Sequence, residues 1–441
     1  MIYFDNAATT RPAPEVAETV AESMLVRFGN PSSAHALGLE AGKMVDGARK
    51  AVAGAMRVPR DRLFFVASGS EANNTAIFGV CARGARRPGR IVTTRAEHAS
   101  VLNSVRELES RGWQADYVGV DALGRVSLGE LEGAIREDTA LIALSHVNNE
   151  TGAAQPLAEI ARIRDRANPG AALFFDCVQS FCKLPLQPEQ ARADIVSISA
   201  HKIHGPKGVA ALYVRGGLNL RPLIYGGGQE AGLRSGTENA PGICGFGAAA
   251  GLLAGRVEEN AARAARLRER MIKGLESPEL ECRLISARAG AGMGGGDGAA
   301  GLQGVGGGAA GRTGAAGAGT GIAGGPPGAA GIAGSAGSSC AAGAESGALV
   351  SPYILCAAFV GVKAEVLLRC LSAEGVYVSS GSACASRHSS RHGGSHVLNA
   401  MGLGRELIDG AIRFSFSPYS TEPEVDEALE RLRALVPKLR R

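Results

Sequence analysis

The chain holds 441 residues, 45% hydrophobic and 20% charged, enough for about two or three domains with a sizeable core. Its net charge of +5, from 47 basic and 42 acidic residues, is too slight over this length to argue for nucleic-acid binding. The start, MIYFDNAATTRP, lacks a basic region followed by an apolar run. No apolar stretch of about 18 residues reads as a membrane span, so a cytoplasmic location is expected. Nine cysteines, odd in number and irregular in spacing, fit reduced thiols better than a disulfide framework.

From about residue 14 to residue 215 the pattern alternates between helical and strand segments. Short apolar runs at LFFVAS (63–68), RIVTT (90–94), ALIALSHV (140–147), ALFFDCV (172–178), ADIVSIS (193–199) and VAALYV (209–214) predict buried strands. Helical stretches such as SEANNTAIFGVCARG and EIARIRDRAN separate them. The alternation predicts an α/β fold with a mostly parallel sheet covered by helices, and functional groups at the carboxyl ends of its strands. A glycine-rich loop, YGGGQEAGLRSGT, and a long Ala/Arg/Glu helix around 242–276 lead into a second unit. That unit ends with a strand, GAIRFSFS, and an amphipathic helix, EPEVDEALERLRALVPKL. Between about 287 and 349 the composition collapses to Gly, Ala and Ser and periodicity vanishes, so a flexible insertion is expected there. Its spacing is not a strict Gly-X-Y repeat, which excludes collagen.

The strongest local pattern is SAHKIHGPKG (199–208), directly after a predicted strand. Lys202 at a strand end suits a Schiff-base lysine, with Ser199 and His201 able to hold a phosphate. Taken alone, a surface lysine in a turn explains the pattern too. In FFDCVQS, Asp176 stands three residues before Gln179; a buried carboxylate there would keep a pyridinium nitrogen protonated, or simply cap a turn. ASGSEANN (67–74) opens a helix, whose free amides and the Ser70 hydroxyl make either a phosphate cradle or a plain cap. His98, after another strand, could stack on a cofactor ring, move protons, or be structural. The four features together favour a cofactor site.

In their order FDNAATT (4–10), FGNPSSAH (28–35), SEANN, EHASVL, HVNNETG (146–152), DCVQS, SAHKIHGPKG, RSGTEN (234–239) and SSGSACAS (379–386) resemble cysteine desulfurases of the NifS/IscS type, in the class V aminotransferase superfamily. The resemblance spans nearly the whole chain except the insertion. It implies a fold-type I, aspartate-aminotransferase-like large domain at 14–255 that binds pyridoxal 5'-phosphate. A smaller α+β domain would comprise 1–13 and 256–441 with the insertion at 287–349, and the enzyme would be a homodimer. By position, Lys202 would carry the cofactor, Asp176 would pair with its pyridine nitrogen and His98 would stack on its ring. Asn149 and Gln179 would face its phenolic oxygen. Gly69, Ser70, Ser199 and His201 would hold the phosphate, with Thr237 reaching into the partner subunit's site. Arg413 would clamp the substrate carboxylate; its planar fork suits that task, though a solvent-facing strand arginine is the plain alternative.

Cys384 lies among small polar residues, the composition of a surface loop rather than a core strand, whereas Cys177 and Cys182 read as packing residues. The resemblance makes Cys384 the nucleophile that takes sulfur from L-cysteine, leaving L-alanine and an enzyme persulfide. An acceptor, such as an iron–sulfur scaffold or the tRNA-thiolation machinery, would then receive the sulfur. Cys384, His388, His392 and His396 recur every four residues, a spacing that could bind metal on one helical face, but Gly393-Gly394 and the serines oppose a continuous helix. No metal site is therefore expected. Other readings are a selenocysteine lyase, another class V aminotransferase, or an inactive scaffold that binds sulfur acceptors. No membrane or nucleic-acid partner is expected.

Overall fold

A computed structural model describes residues 1–83, 88–286, 350–381 and 394–440, all within one compact unit. The expected insertion at 287–349 and the residues Cys384, His388 and His392 lie outside the described residues.

Strand β1 (Ile2–Tyr3) opens the chain, followed by helices Pro14–Leu25 and Ala36–Ala55. Seven strands then build the larger sheet: β2 (Leu63–Val66), β3 (Arg90–Thr94), β4 (Gln114–Val118), β5 (Thr139–Ser145), β6 (Ala172–Asp176), β7 (Ile195–Ser199) and β8 (Ala210–Val214). Their order across the sheet is β2-β8-β7-β6-β5-β3-β4. The pairings among β3 to β7 are all parallel, and β8 runs antiparallel to both neighbours. The six expected strands all form. Unbroken apolar runs suit strands covered by helices on both faces, and β3, β6, β7 and β8 are buried along their whole length. β4 escaped the sequence reading because it is an edge strand, so QADYV needs no apolar run.

The expected helix around 242–276 is two helices, Ala240–Ala254 and Val257–Leu275, bent by 76°. The first is apolar on nearly all sides and buried; the second is amphipathic and opens with Glu258 and Glu259 near its N-terminus, where the helix dipole favours acidic groups. Gly255, a poor helix former, falls at the junction. Among the described residues no single helix is long and apolar enough to cross a membrane.

The remaining strands are β9 (Cys282–Leu284), β10 (Ile354–Phe359), β11 (Val376–Tyr377), β12 (Ser379–Ser380) and β13 (Ala411–Ser415). A four-stranded antiparallel sheet runs β12-β13-β10-β9, and β1 pairs in parallel with β11. The closing helix, Glu422–Leu439, begins with a capping box between Thr421 and Glu424. One apolar cluster draws its members from Ala13 to Leu253, and another joins Ile2 and Phe4 to residues from Leu267 to Val436.

The order matters because β2, β3, β5, β6 and β7 all end on the same edge of the sheet. The opposite edge is fixed by charge. Asp194, just before β7, accepts from Arg164 Nη1 at 2.6 Å and from the Leu173 amide at 2.8 Å. Arg164 also donates to the Ala171 and Arg192 carbonyls, and both side chains are buried. Arg164 Nε also pairs with Asp165 at 2.7 Å, so Asp194→Ala removes one of two charged partners and a loss of about 1–3 kcal/mol is expected in chemical denaturation; a loss below about 0.5 kcal/mol contradicts this account of the β6–β7 edge.

Candidate active site

β7 runs directly into Ser199, Ala200, His201 and Lys202. The Lys202 amine donates to the carbonyls of Ala7 and Ala8, at 2.6 and 2.7 Å. His201 places Nδ1 3.2 Å from Thr9 Oγ1. Burial, and then the charges of Lys202, Lys183 and Lys207, push the His201 pKa down to about 4, so its ring is neutral at pH 7. Ser199 Oγ is buried without a hydrogen-bond partner. It lies beside the helix Gly69–Cys81: a Cβ at Gly69 would sit 3.8 Å from Ser199 Cβ. The cap of that helix is Ser68, which accepts from the Glu71 amide at 3.1 Å, while Ser70 is exposed in the first turn.

Asp176 ends β6 and is buried. Its Oδ2 accepts from Asn73 Nδ2 at 2.7 Å and its Oδ1 from the Val178 amide at 3.0 Å. Three residues on, Gln179 donates through Nε2 to the Ala7 carbonyl at 2.9 Å. His98 follows β3 and caps helix Ala99–Ser110, with Nδ1 accepting from the Ser100 amide at 3.2 Å. Desolvation lowers the His98 pKa; Asp176 opposes this, and the charges of Lys202 and His396 reinforce it.

After β5, the turn 146–152 presents Asn149, whose carbonyl accepts from Arg413 Nη1 at 2.8 Å. Arg413, on β13, is 2% exposed. Its Nη2 donates to Asp5 Oδ1 at 2.8 Å, so both terminal nitrogens have partners, while its buried Nε has none. Lys202, His201, Ser199, Gly69, Asp176, His98, Gln179, Asn149 and Arg413 are thus linked around one sheet edge. Thr237 is exposed on the loop before helix Ala240–Ala254, and Ser70 is exposed as well.

Cys177 and Cys182 pack in the core as expected, and burial raises both thiols, Cys182 to about 12. Burial likewise raises Cys81 and Cys282 to about 12. Thiols this reluctant to ionise make poor nucleophiles. His396 directs Nε2 to the Glu97 carbonyl at 2.9 Å, at the start of helix His396–Ala400. Among the described residues no group of three His, Cys, Asp or Glu side chains is placed to hold a metal.

Several participants escaped the sequence reading. Asp5, Asn73 and Glu150 sat inside the quoted motifs FDNAATT, SEANN and HVNNETG, but residue type alone gave them no partner. Lys183 gives no signal in the sequence, because lysine is a residue type usually exposed. It is buried, 3.5 Å from Gln179 Oε1, and desolvation, with Lys202 and Arg413 nearby, lowers its pKa to about 7. Glu97 is buried behind His98, where it accepts from the Ser145 amide at 2.7 Å and Thr94 Oγ1 at 2.8 Å.

A family model described as aminotransferase class-V matches residues 2–291, more than half of the chain. The chain belongs to this family. A cysteine desulfurase of Trichormus azollae is 35% identical over 446 residues, covering 99% of this chain and 95% of that protein. A solved NifS-like protein superposes with a TM-score of 0.81 at 32% identity, covering 99% of this chain and all of that one. A structure described as SspA in complex with cysteine gives 0.72 at 28% identity, covering 96% and 100%. Within the class-V family the chain therefore stands among the cysteine desulfurases, and that membership implies a pyridoxal-phosphate cofactor.

In this class-V enzyme Glu150 is packed against Gly381 and bonded to Ser395. Its Oε2 accepts from Ser395 Oγ, and a Cβ at Gly381 would lie 2.7 Å from the same oxygen. Burial raises its pKa from the usual 4.5 to about 7, opposed by Ser395 and Arg413. A raised folded-state pKa gives stability that is full below about pH 4.5 and declines as pH rises through about 7. Glu150→Gln removes that contribution. Its melting temperature should therefore gain on the wild type between pH 4.5 and pH 7.5, and a pH-independent difference contradicts the assignment.

Proposed function

We propose that this class-V enzyme is a pyridoxal-phosphate-dependent cysteine desulfurase. L-Cysteine and the Cys384 thiol become L-alanine and a Cys384 persulfide, whose outer sulfur passes to an acceptor such as an iron–sulfur scaffold or the tRNA-thiolation machinery. The observation that carries this reading is the meeting of Lys202, Asp176 and His98 at one sheet edge beside the unpartnered Ser199 hydroxyl, in a chain matched over its full length by cysteine desulfurases.

The residues present fit the cofactor. An orphaned buried hydroxyl at Ser199, the neutral His201 ring and the amides opening helix Gly69–Cys81 suit a phosphate. Asp176, aimed by two donors, suits a ring nitrogen, and Gln179 and Asn149 belong on its oxygen side. When bound, pyridoxal phosphate supplies an electron sink for bond breaking at the substrate's α-carbon. Lys202 Nζ takes the α-proton. Arg413 receives the substrate carboxylate in exchange for Asp5. The Cys384 thiolate attacks the substrate sulfur: an S–S bond forms, the C–S bond breaks, and its electron pair stays with the carbon that becomes the alanine methyl after protonation.

The two apolar clusters lend support to a large cofactor-binding domain at 14–255 and a small domain from 1–13 and 256–441. The exposed apolar side chains Met24, Leu25, Val26, Phe28, Leu37 and Leu39 support a homodimer, which would bring Thr237 to the partner's site. A cytoplasmic location fits the reduced thiols.

The purified enzyme should show a visible absorbance band that changes on adding L-cysteine. Cys384→Ala should keep the band while sulfide release with a reductant falls by about 100-fold or more. Retained sulfide release would overturn the role of Cys384, and a colourless wild-type protein that cannot be loaded with the cofactor would overturn the function.

A further inference from the structure

We propose that Asn73 is a positioning residue of this site: it locks the Asp176 carboxylate and the His98 imidazole into one donor-to-acceptor order that leaves the His98 proton on Nε2. The inference rests on the cofactor reading above for its consequence, but its geometry stands apart from it.

Asn73 and Ser197 are buried, at 1% and 0% exposure, so water does not stand in for either. Ser197 Oγ donates to Asn73 Oδ1 at 2.6 Å, and Asn73 Nδ2 donates to Asp176 Oδ2 at 2.7 Å and to Ser100 Oγ at 2.8 Å. The amide has only one workable orientation. An ionised carboxylate accepts and never donates, so it must face the NH2 group and not the carbonyl. Both Nδ2 hydrogens are then committed, and the carbonyl is left for the Ser197 hydroxyl. Ser100 Oγ accepts from Asn73 and turns its own proton to His98 Nδ1, 2.8 Å away. The Ser100 backbone amide addresses the same nitrogen at 3.2 Å. With two donors aimed at Nδ1, the ring proton belongs on Nε2.

The chain of bonds joins four elements: Asn73 on helix Gly69–Cys81, Asp176 and Ser197 on neighbouring strands β6 and β7, and Ser100 at the start of the helix capped by His98. Protonating Nδ1 would require Ser100 to turn its hydroxyl away while Asn73 still donates to it. The network therefore holds the imidazole neutral, beyond what desolvation does. The charges facing His98 are Asp176, Lys202 and His396; Asn73→Ala adds or removes no charge among them, though it takes one donor from Asp176. With the cofactor bound, the carboxylate would be aimed at the pyridine nitrogen and the imidazole would present an N–H donor to the cleft.

The test is NMR of holoenzyme labelled with 15N at histidine, with the His98 signals assigned by their loss in His98→Gln. Wild type should show the Nε2–H tautomer. Asn73→Ala releases the Ser100 hydroxyl from its fixed orientation while the Ser100 amide still addresses Nδ1, so the Nδ1–H tautomer should gain population without replacing Nε2–H. The His98 titration midpoint should rise by about 0.5–1 pH unit, a three- to tenfold change in proton concentration. Asn73→Asp is isosteric but adds a carboxylate that raises the midpoint by charge alone, so for that variant the tautomer and not the midpoint is the readout. If Asn73→Ala lowers only the melting temperature and leaves tautomer and midpoint at wild-type values, Asn73 is a mere staple and the inference falls. A wild-type protein that takes up no cofactor would defeat the functional reading instead, and the His98 signals would still decide this one.

Discussion

The Lys202 amine held between the Ala7 and Ala8 carbonyls is the contact on which the arrangement turns. A lysine at the end of a buried strand has a long, flexible stem, and without fixed acceptors its amine would sample the whole cleft. Those acceptors come from the N-terminal segment, which is itself anchored on both sides. Ile2 and Phe4 sit in the cluster around the small sheet, with Phe4 edge-on to Phe416 at 5.2 Å, and Asn6 donates to the Ser415 carbonyl. Beyond the alanines, Thr10 binds the His201 carbonyl through both amide and hydroxyl, and its Oγ1 accepts from the His204 amide at 2.7 Å. One short run of residues thus sets where β13, with Arg413, meets the loop after β7.

Around that contact the site concentrates groups that ordinary surfaces keep apart. Lys183 and Lys202 line the same small cavity, so each disfavours the charge of the other. Glu97 and Glu150 are buried carboxylates raised to about 7: Glu97 accepts from hydroxyls and an amide, and Glu150 from the Ser395 hydroxyl. Such groups are costly to bury, and they persist because neighbouring bonds over-determine them. Asp5 on Arg413 is the exception, a direct ion pair whose carboxylate occupies the fork that a substrate carboxylate would want. Displacing a tethered carboxylate for a free one exchanges like for like, which suits a site that must bind and release a small amino acid.

Much of this was legible in the sequence because the large sheet is buried on both faces. Continuous apolar runs marked six of its seven strands, and the candidate site residues fall at or just past their ends: Asp176 closes LFFD, Lys202 stands two residues after SISA and His98 three after VTTR. What the pattern could not carry was side-chain partnership across distant segments. Asn73 and Asp176 are 103 residues apart, and Arg413 and Asp5 are separated by 408. The edge strand β4 and the break at Gly255 were missed for local reasons: a polar edge and a helix whose two halves face different environments. Cys384, the proposed nucleophile, falls in a segment whose composition signals a loop but not its geometry.

The account stands or falls on Lys202 as the point of cofactor attachment, with Lys183 and Lys207 as its nearest rivals in charge. Borohydride reduction of the purified enzyme followed by peptide mass mapping decides among them. The account predicts one reduced pyridoxyl-phosphate adduct per chain, on the peptide containing Lys202. An adduct on Lys183 or Lys207, or none on any lysine of a fully loaded enzyme, would contradict it.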